Sequence, residues 1–189
     1  MKKKGEFGYI QDTKAHNFKL AMIMLLIALS VFIFGKALLP KMFNYFAVVA
    51  ALLMLPVAQC ITRYLVFKGF KSIKKQLYEK LTQIDQEVLL LYDLILVFSK
   101  KTIQSKVTAI INDTIIVYIE DNKKEKNKEL AEEVINKILE KNKIKAKLEI
   151  IVDEEAYIDR INKLFEENKT ILDNQLQDNL AEILLLSSI

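Results

Sequence analysis

The sequence has one cysteine, Cys60, and one histidine, His16, among its 189 residues. A single cysteine excludes an intramolecular disulfide and a cysteine-based zinc site. A single histidine excludes a multi-histidine metal site. Any catalysis is therefore left to carboxylates, Lys, Tyr, Ser or Thr, and we expect neither a metal nor a cofactor.

Glycine is equally scarce, with four residues at positions 5, 8, 35 and 69. These positions do not form a glycine-rich loop that could surround a phosphate group. Walker-type nucleotide sites and dinucleotide-binding fingerprints are therefore excluded.

Acidic residues are rare in the first third of the chain. Residues 1–67 contain eight Lys or Arg residues against Glu6 and Asp12, whereas residues 68–189 contain 20 basic and 22 acidic residues. A nucleic-acid-binding domain concentrates positive charge on its own surface, because phosphate contacts supply most of the affinity. The near-neutral second part predicts that nucleic acid is not a partner.

Two long uncharged apolar runs cover residues 20–35 and 45–62. With Lys36 and Arg63 extending their side chains toward the interface, each run reaches the ~20 residues that a membrane-spanning helix needs. A cleaved secretory signal is disfavoured, since the apolar run is too long and no small-residue cleavage site follows it. The sequence predicts an arm over 1–19, a two-helix transmembrane hairpin over 20–67 and a water-soluble domain over 68–189.

Basic residues flank the hairpin on one side. Gly35 and Pro40 indicate a short turn between the spans, so that both termini lie on the same side of the membrane. Because excess basic residues stay cytoplasmic, we expect both termini inside a cell membrane, with basic side chains contacting the lipid bilayer. The basic residues expected at this interface are Lys2, Lys3, Lys4, Arg63, Lys68, Lys71, Lys74 and Lys75.

The second apolar run contains small residues and two polar or helix-distorting positions. Ala47 and Ala51, with Ala50 and Ala58 nearby, predict a face for close helix packing, either on the first span or in a homo-oligomer. Pro56 should kink the helix, and Gln59 offers a hydrogen-bonding side chain at membrane depth. Pro56 and Gln59 are therefore candidate functional residues of the hairpin.

The soluble part alternates between helical and strand periodicities, and we assign it to the α+β class. Asn112 and Asp113 join two β-branched runs and predict a tight hairpin. A strand–helix–strand return after residue 119 predicts a four-stranded mixed sheet whose last strand is parallel to its neighbour. The expected elements are a helix over 69–83, strands over 88–98, 107–111 and 114–119, a helix over 128–142, a strand over 146–152, a helix capped by Asp153, and a helix over 173–186.

Asp93 is the leading candidate for a functional residue in this domain. Strand alternation places it on the same face as Leu89, Leu91, Ile95 and Val97, where a carboxylate needs a partner or a raised pKa. The alternatives are a partly open face at a sheet edge, or an Asp93 that caps a helix ending near Tyr92. The two alternatives together are favoured over a catalytic role.

The order of elements resembles the core of restriction-endonuclease-like nucleases. Those nucleases hold magnesium with an acidic residue on the second strand and a Glu-x-Lys on the third. Residues 114–121 here read Thr-Ile-Ile-Val-Tyr-Ile-Glu-Asp, without that motif. The resemblance is therefore one of element order alone.

Three short segments carry a second resemblance: Gly5–Ile10, Val48–Ala58 and Tyr92–Leu94. Together they are similar to a family of small uncharacterised two-span membrane proteins of Clostridia-type bacteria. The resemblance implies two spans followed by a cytoplasmic domain, and no activity. It points to Gly5–Ile10, Pro56 and Asp93 as positions for mutation. Tyr92, next to Asp93, is a further candidate functional residue.

The missing catalytic motifs favour a non-enzymatic, membrane-anchored interaction or regulatory module with a protein partner or a second copy. One alternative is a membrane-tethered hydrolase, such as a divergent nuclease-like domain that uses Asp93. Another alternative is an oligomeric transport or channel component assembled through the second span.

Overall fold

The computed structural model describes residues 2–38, 40–84, 88–120, 124–168 and 174–189. The chain divides into two compact units. One unit comprises Ile10–Lys71, and the other combines Lys2–Tyr9 with Ser72–Ile189. The first residues of the chain are therefore part of the same unit as the α+β domain.

The first unit is a helical hairpin. Helix α1 (Tyr9–Leu38) is followed by a 3-10 turn (Pro40–Met42) and helix α2 (Phe43–Lys68). Both helices are long and apolar enough to cross a membrane by length and composition. At 1.5 Å per residue, α1 is about 45 Å long, and it begins well before the apolar run that starts at residue 20.

Small residues line the contact between the two helices. Ala21, Ala28 and Gly35 are buried at seven-residue intervals on α1, which is the spacing of one face of a helix packed on another. A Cβ atom at Gly35 would lie 2.3 Å from the Cβ of Phe46, so the helices approach closely there. The buried residues of α2 are Ala50, Val57, Cys60 and Phe67.

The small residues of the second helix divide into buried and exposed positions. Ala50 is buried, Ala47 is half-buried, and Ala51 and Ala58 are exposed. Pro56 lies inside α2, which continues through it, and the Gln59 side chain is exposed. The stripe through Ala50 is therefore covered within the hairpin unit, and the stripe through Ala51 stays a predicted face for a second copy.

The second unit contains a four-stranded sheet in the described residues. Strands β1 (Leu89–Phe98), β2 (Lys101–Ile111) and β3 (Thr114–Tyr118) pair antiparallel in sequence order, and β4 (Lys147–Ile151) pairs with β3 in parallel. The α+β class and the mixed sheet are confirmed. The helices of this unit are α3 (Lys75–Leu81), α4 (Lys124–Lys141), α5 (Glu154–Asn168) and α6 (Asn174–Leu186).

Helices cover both faces of the sheet. One apolar cluster joins the sheet to α4 and α6, and a second joins it to α3 and α5. All five residues of β3 are buried as a result. Burial on both faces explains why this strand reads as a continuous apolar run instead of an alternating one.

Local signals placed several elements correctly. The Asn112–Asp113 turn joins β2 to β3, with Asn112 at a φ of 53°. Asp153 caps α5, because its carboxylate accepts the Ala156 N–H at 2.9 Å. The helix predicted over 69–83 is shorter and spans Lys75–Leu81, and β2 begins six residues before the predicted strand.

Candidate functional site

Asp93 interrupts strand β1. The β1–β2 register runs to Tyr92 opposite Val107 and resumes at Leu94 opposite Ser105, and Asp93 has a φ of 54°. This is the left-handed region, which aspartate tolerates better than most residues other than glycine. The irregularity lies in the middle of the strand and not at its end.

The left-handed residue shifts the alternation of the strand. Leu91 packs in the cluster with α4 and α6, and so do Leu94 and Leu96. The prediction that Asp93 shares a face with Leu89, Leu91, Ile95 and Val97 is therefore wrong. It assumed a regular two-residue period, and the left-handed residue breaks that period at Asp93.

The Asp93 carboxylate is buried and accepts two backbone hydrogen bonds. Its Oδ2 accepts the Gly8 N–H at 3.1 Å, and its Oδ1 accepts the Ile73 N–H at 2.9 Å. The residue is 1% exposed, so the predicted open sheet edge is wrong. A helix end near Tyr92 is also wrong, since Tyr92 lies within β1.

Two segments thus meet at one carboxylate. We call Lys2–Gly8 the strap, because it leads directly into α1. We call Ser72–Lys74 the exit segment, because it follows α2 and precedes α3. The strap and the exit segment both belong to the unit that contains the sheet.

Charged side chains lie near the Asp93 carboxylate. The Lys106 side chain, 6% exposed, lies 3.4 Å from Glu120, and Glu120 also pairs with Lys74 at 3.1 Å. Burial raises the pKa of Asp93, while the neighbouring Ser72 hydroxyl, the two backbone amides and the Lys106 ammonium partly offset the rise. Burial alone would raise the pKa of Glu120 too, but Lys74 and Lys106 hold it below its ordinary value.

The strap also contacts β1 and α3 directly. Gly5 forms an antiparallel bridge with Tyr92, whose N–H donates to the Gly5 carbonyl at 2.8 Å. The Phe7 ring stacks on Tyr78 of α3 at 4.1 Å between centroids, and Tyr78 contacts Tyr92 at 5.2 Å. Burial and the nearby Tyr78 raise the pKa of Tyr92 to about 12, so its phenol stays neutral at physiological pH.

The same edge of β1 is covered further along by the segment Ser187–Ile189. The Val97 N–H donates to the Ser187 carbonyl, and the Ile189 N–H donates to the Ile95 carbonyl, each at 3.1 Å. The Lys4 ammonium donates to the Ser188 carbonyl and connects this segment to the strap. Edge strands with free backbone groups invite pairing with other chains, and here both segments occupy those groups.

The basic residues expected at the membrane have differing surroundings. Lys2 and Lys4 donate to carbonyls of Phe7 and Ser188, and Lys74 and Lys75 pair with Glu120 and Glu79. Lys3, Arg63 and Lys68 are exposed, and so is Lys71. Part of the basic set therefore stabilises the strap and the start of α3.

The candidate residues fall into two groups. Tyr92 and Asp93 are neighbours in β1, whereas Pro56 and Gln59 belong to the hairpin unit. Within the described ranges, no group of three or more His, Cys, Asp or Glu side chains could hold a metal ion. The Asp93 neighbourhood can fix backbone segments, and both of its carboxylate oxygens are already used for that purpose.

Local patterns did not identify the partners of Asp93. Only the resemblance drew attention to Gly5–Ile10, and in the structure that segment meets Tyr92 and Asp93. A local signal was nevertheless present. Two of the four glycines lie three residues apart in the strap, and both have a positive φ, 85° at Gly5 and 77° at Gly8. Comparison with known proteins found no matching family model, curated protein or solved structure.

Proposed function

We propose that this protein is a non-enzymatic, membrane-anchored interaction or regulatory module. The hairpin lies in a bacterial cell membrane, and the α+β domain faces the cytoplasm, where it binds a protein partner. The single observation that supports the non-enzymatic assignment is the hydrogen bonding of the Asp93 carboxylate. Each of its two oxygens accepts a backbone N–H, so the carboxylate that was the leading catalytic candidate has a structural role.

Membrane insertion is supported by the surface of the hairpin. Large apolar side chains such as Leu26, Ile33, Leu52 and Leu55 are 59%, 63%, 59% and 62% exposed. In water such a surface is costly, at roughly 25 cal/mol for each Å² of apolar area. Lipid removes that cost, and the basic side chains of Lys19, Arg63 and Lys68 suit a negatively charged inner leaflet.

The orientation can be tested by labelling single cysteines. In a Cys60→Ala background, Lys41→Cys places a thiol in the turn between α1 and α2, and Lys163→Cys places one on the exposed surface of α5. A membrane-impermeant maleimide should label Lys41→Cys in intact cells, and Lys163→Cys only after permeabilisation. Labelling of both thiols after permeabilisation is the control for reactivity.

The reverse labelling pattern would contradict the proposed orientation. Recovery of the intact chain in the aqueous fraction would contradict insertion itself.

The hydrolase alternative is tested by turnover. We expect purified protein to leave nucleic acid, nucleotide and peptide substrates intact. Turnover that is lost in Asp93→Asn, in protein whose circular dichroism spectrum is unchanged, would overturn the non-enzymatic proposal.

The oligomeric alternative rests on a specific face of α2. Ala51 and Ala58 are exposed seven residues apart, next to the exposed Gln59 side chain, so a second copy can approach closely there. Crosslinking in native membranes should give dimers or larger species if this face assembles the protein. Only monomers would exclude a homo-oligomeric channel component.

A further inference from the structure

The Asp93 carboxylate joins parts of the chain that are distant in sequence. Gly8 is 85 residues from Asp93, and Ile73 is 20 residues from it. Each segment donates one backbone N–H to a different oxygen of the same group. A buried backbone N–H that loses its acceptor costs about 1–3 kcal/mol. Removing the carboxylate therefore weakens both attachments at once.

The backbone around this carboxylate is unusual at three positions. Asp93, Gly5 and Gly8 have φ values of 54°, 85° and 77°. A Cβ atom at Gly5 would lie 3.0 Å from Leu185 and 3.2 Å from Leu91, so the strap approaches the domain closely there. Glycine adopts a positive φ without strain, whereas a left-handed aspartate persists only where the surrounding structure fixes it.

An aromatic contact lies beside the shared carboxylate. Phe7 of the strap stacks on Tyr78 of α3, the helix that begins directly after the exit segment. Leu77 and Leu81 hold α3 in the core, at 2% and 0% exposure. The shared carboxylate, and not the aromatic stack, is therefore what couples the strap to the exit segment.

We propose that Asp93 is a latch that holds the strap and the exit segment on β1, and that the two segments detach together when the latch opens. Detachment frees the Tyr92 N–H and uncovers this part of the β1 edge. The latch, the strap, the exit segment and β1 all lie in the same unit. It is a property of the sheet-containing unit and is independent of the membrane assignment and of any partner.

Hydrogen–deuterium exchange of the full-length protein in detergent micelles tests the latch. Asp93→Asn removes the charge while tolerating a left-handed backbone, and Asp93→Gly removes the side chain without backbone strain. Asp159→Asn makes the same charge change on the exposed face of α5 and is the matched control. Both Asp93 variants should exchange roughly tenfold faster or more in peptides covering 2–9 and 70–77, with no change in β3 or α4.

Three results would overturn the latch. The first is faster exchange in only one of the two segments, since they must open together. The second is no change in either segment. The third is an equal increase across β3 and α4 in both variants, which would make Asp93 a general stabilising residue of the fold.

Discussion

At the scale of single residues, Asp93 combines a buried charge, a left-handed backbone and two backbone donors. Burial of a carboxylate is unfavourable unless hydrogen bonds or opposite charges compensate for it. The amides of Gly8 and Ile73 compensate in part, and so does Lys106 across the strand pair. The pKa of Asp93 remains raised, so the compensation is incomplete.

This raised pKa predicts a pH dependence of stability. Because the pKa is higher in the folded protein than the ordinary 3.8, folding favours the protonated carboxyl group. The resulting contribution to the free energy of unfolding is fully present below pH 3.8, and it is lost as the pH rises through the raised value. The difference in unfolding free energy, wild type minus Asp93→Asn, should therefore decrease as the pH rises.

Denaturant titrations in detergent, from about pH 4 to about pH 8, measure that difference. Asp159→Asn, which makes the same charge change on an exposed surface, controls for net charge. A difference that increased with pH would show that hydrogen bonding to the carboxylate outweighs its burial.

At the scale of elements, the hairpin depends on small residues at the contact between α1 and α2. Gly35→Ala should destabilise the packed hairpin by about 1–3 kcal/mol, because the added Cβ would lie 2.3 Å from the Cβ of Phe46. That atom is close to the backbone and cannot move aside cheaply. Unfolding in a mixed-detergent titration, followed by circular dichroism, measures the effect.

Ala37→Val is the matched control for the hairpin. It adds apolar atoms at an exposed position of α1 and should change the unfolding free energy by less than about 0.5 kcal/mol. Equal stability of Gly35→Ala and wild type would contradict the close approach of the two helices.

Most elements could be predicted because their signals are local. The Asn112–Asp113 turn, the Asp153 cap and the apolar stripe of α4 each depend on residues a few positions apart. The turn between β1 and β2 was missed because Ser99 and Lys100 lack the Asn or Gly that a tight hairpin favours, although Ser99 adopts a φ of 56°.

The partners of Asp93 could not be predicted in the same way. A polar arm ahead of an apolar helix resembles a solvated tail, and the strap is held by contacts with residues more than 70 positions away. Alternation also fails at Asp93 itself, because a left-handed residue changes which side chains face which helix. Sequence patterns could therefore identify Asp93 as unusual without revealing what it binds.

At the scale of the whole molecule, the two units have different surfaces. Among the described residues, exposed large apolar side chains occur in Phe18–Val66 and otherwise at Leu186 and Ile189. The sheet-containing unit thus buries its apolar residues in its own core, as a water-soluble domain does. Leu186 precedes the segment that covers the β1 edge beside Ile95 and Val97, and Ile189 belongs to that segment.

A protein shortened to end at Leu186 tests the role of that segment. The truncation removes the acceptor of the Val97 N–H and the donor to the Ile95 carbonyl, and Lys4 loses its acceptor on Ser188. We expect a lower melting temperature and self-association that increases with concentration, because the uncovered edge can pair with a second copy. Differential scanning fluorimetry and light scattering in detergent measure the two effects. Ile189→Ala, which trims a side chain but keeps the backbone, should retain the wild-type mass. An unchanged melting temperature and mass in the truncated protein would show that Ser187–Ile189 does not protect the edge.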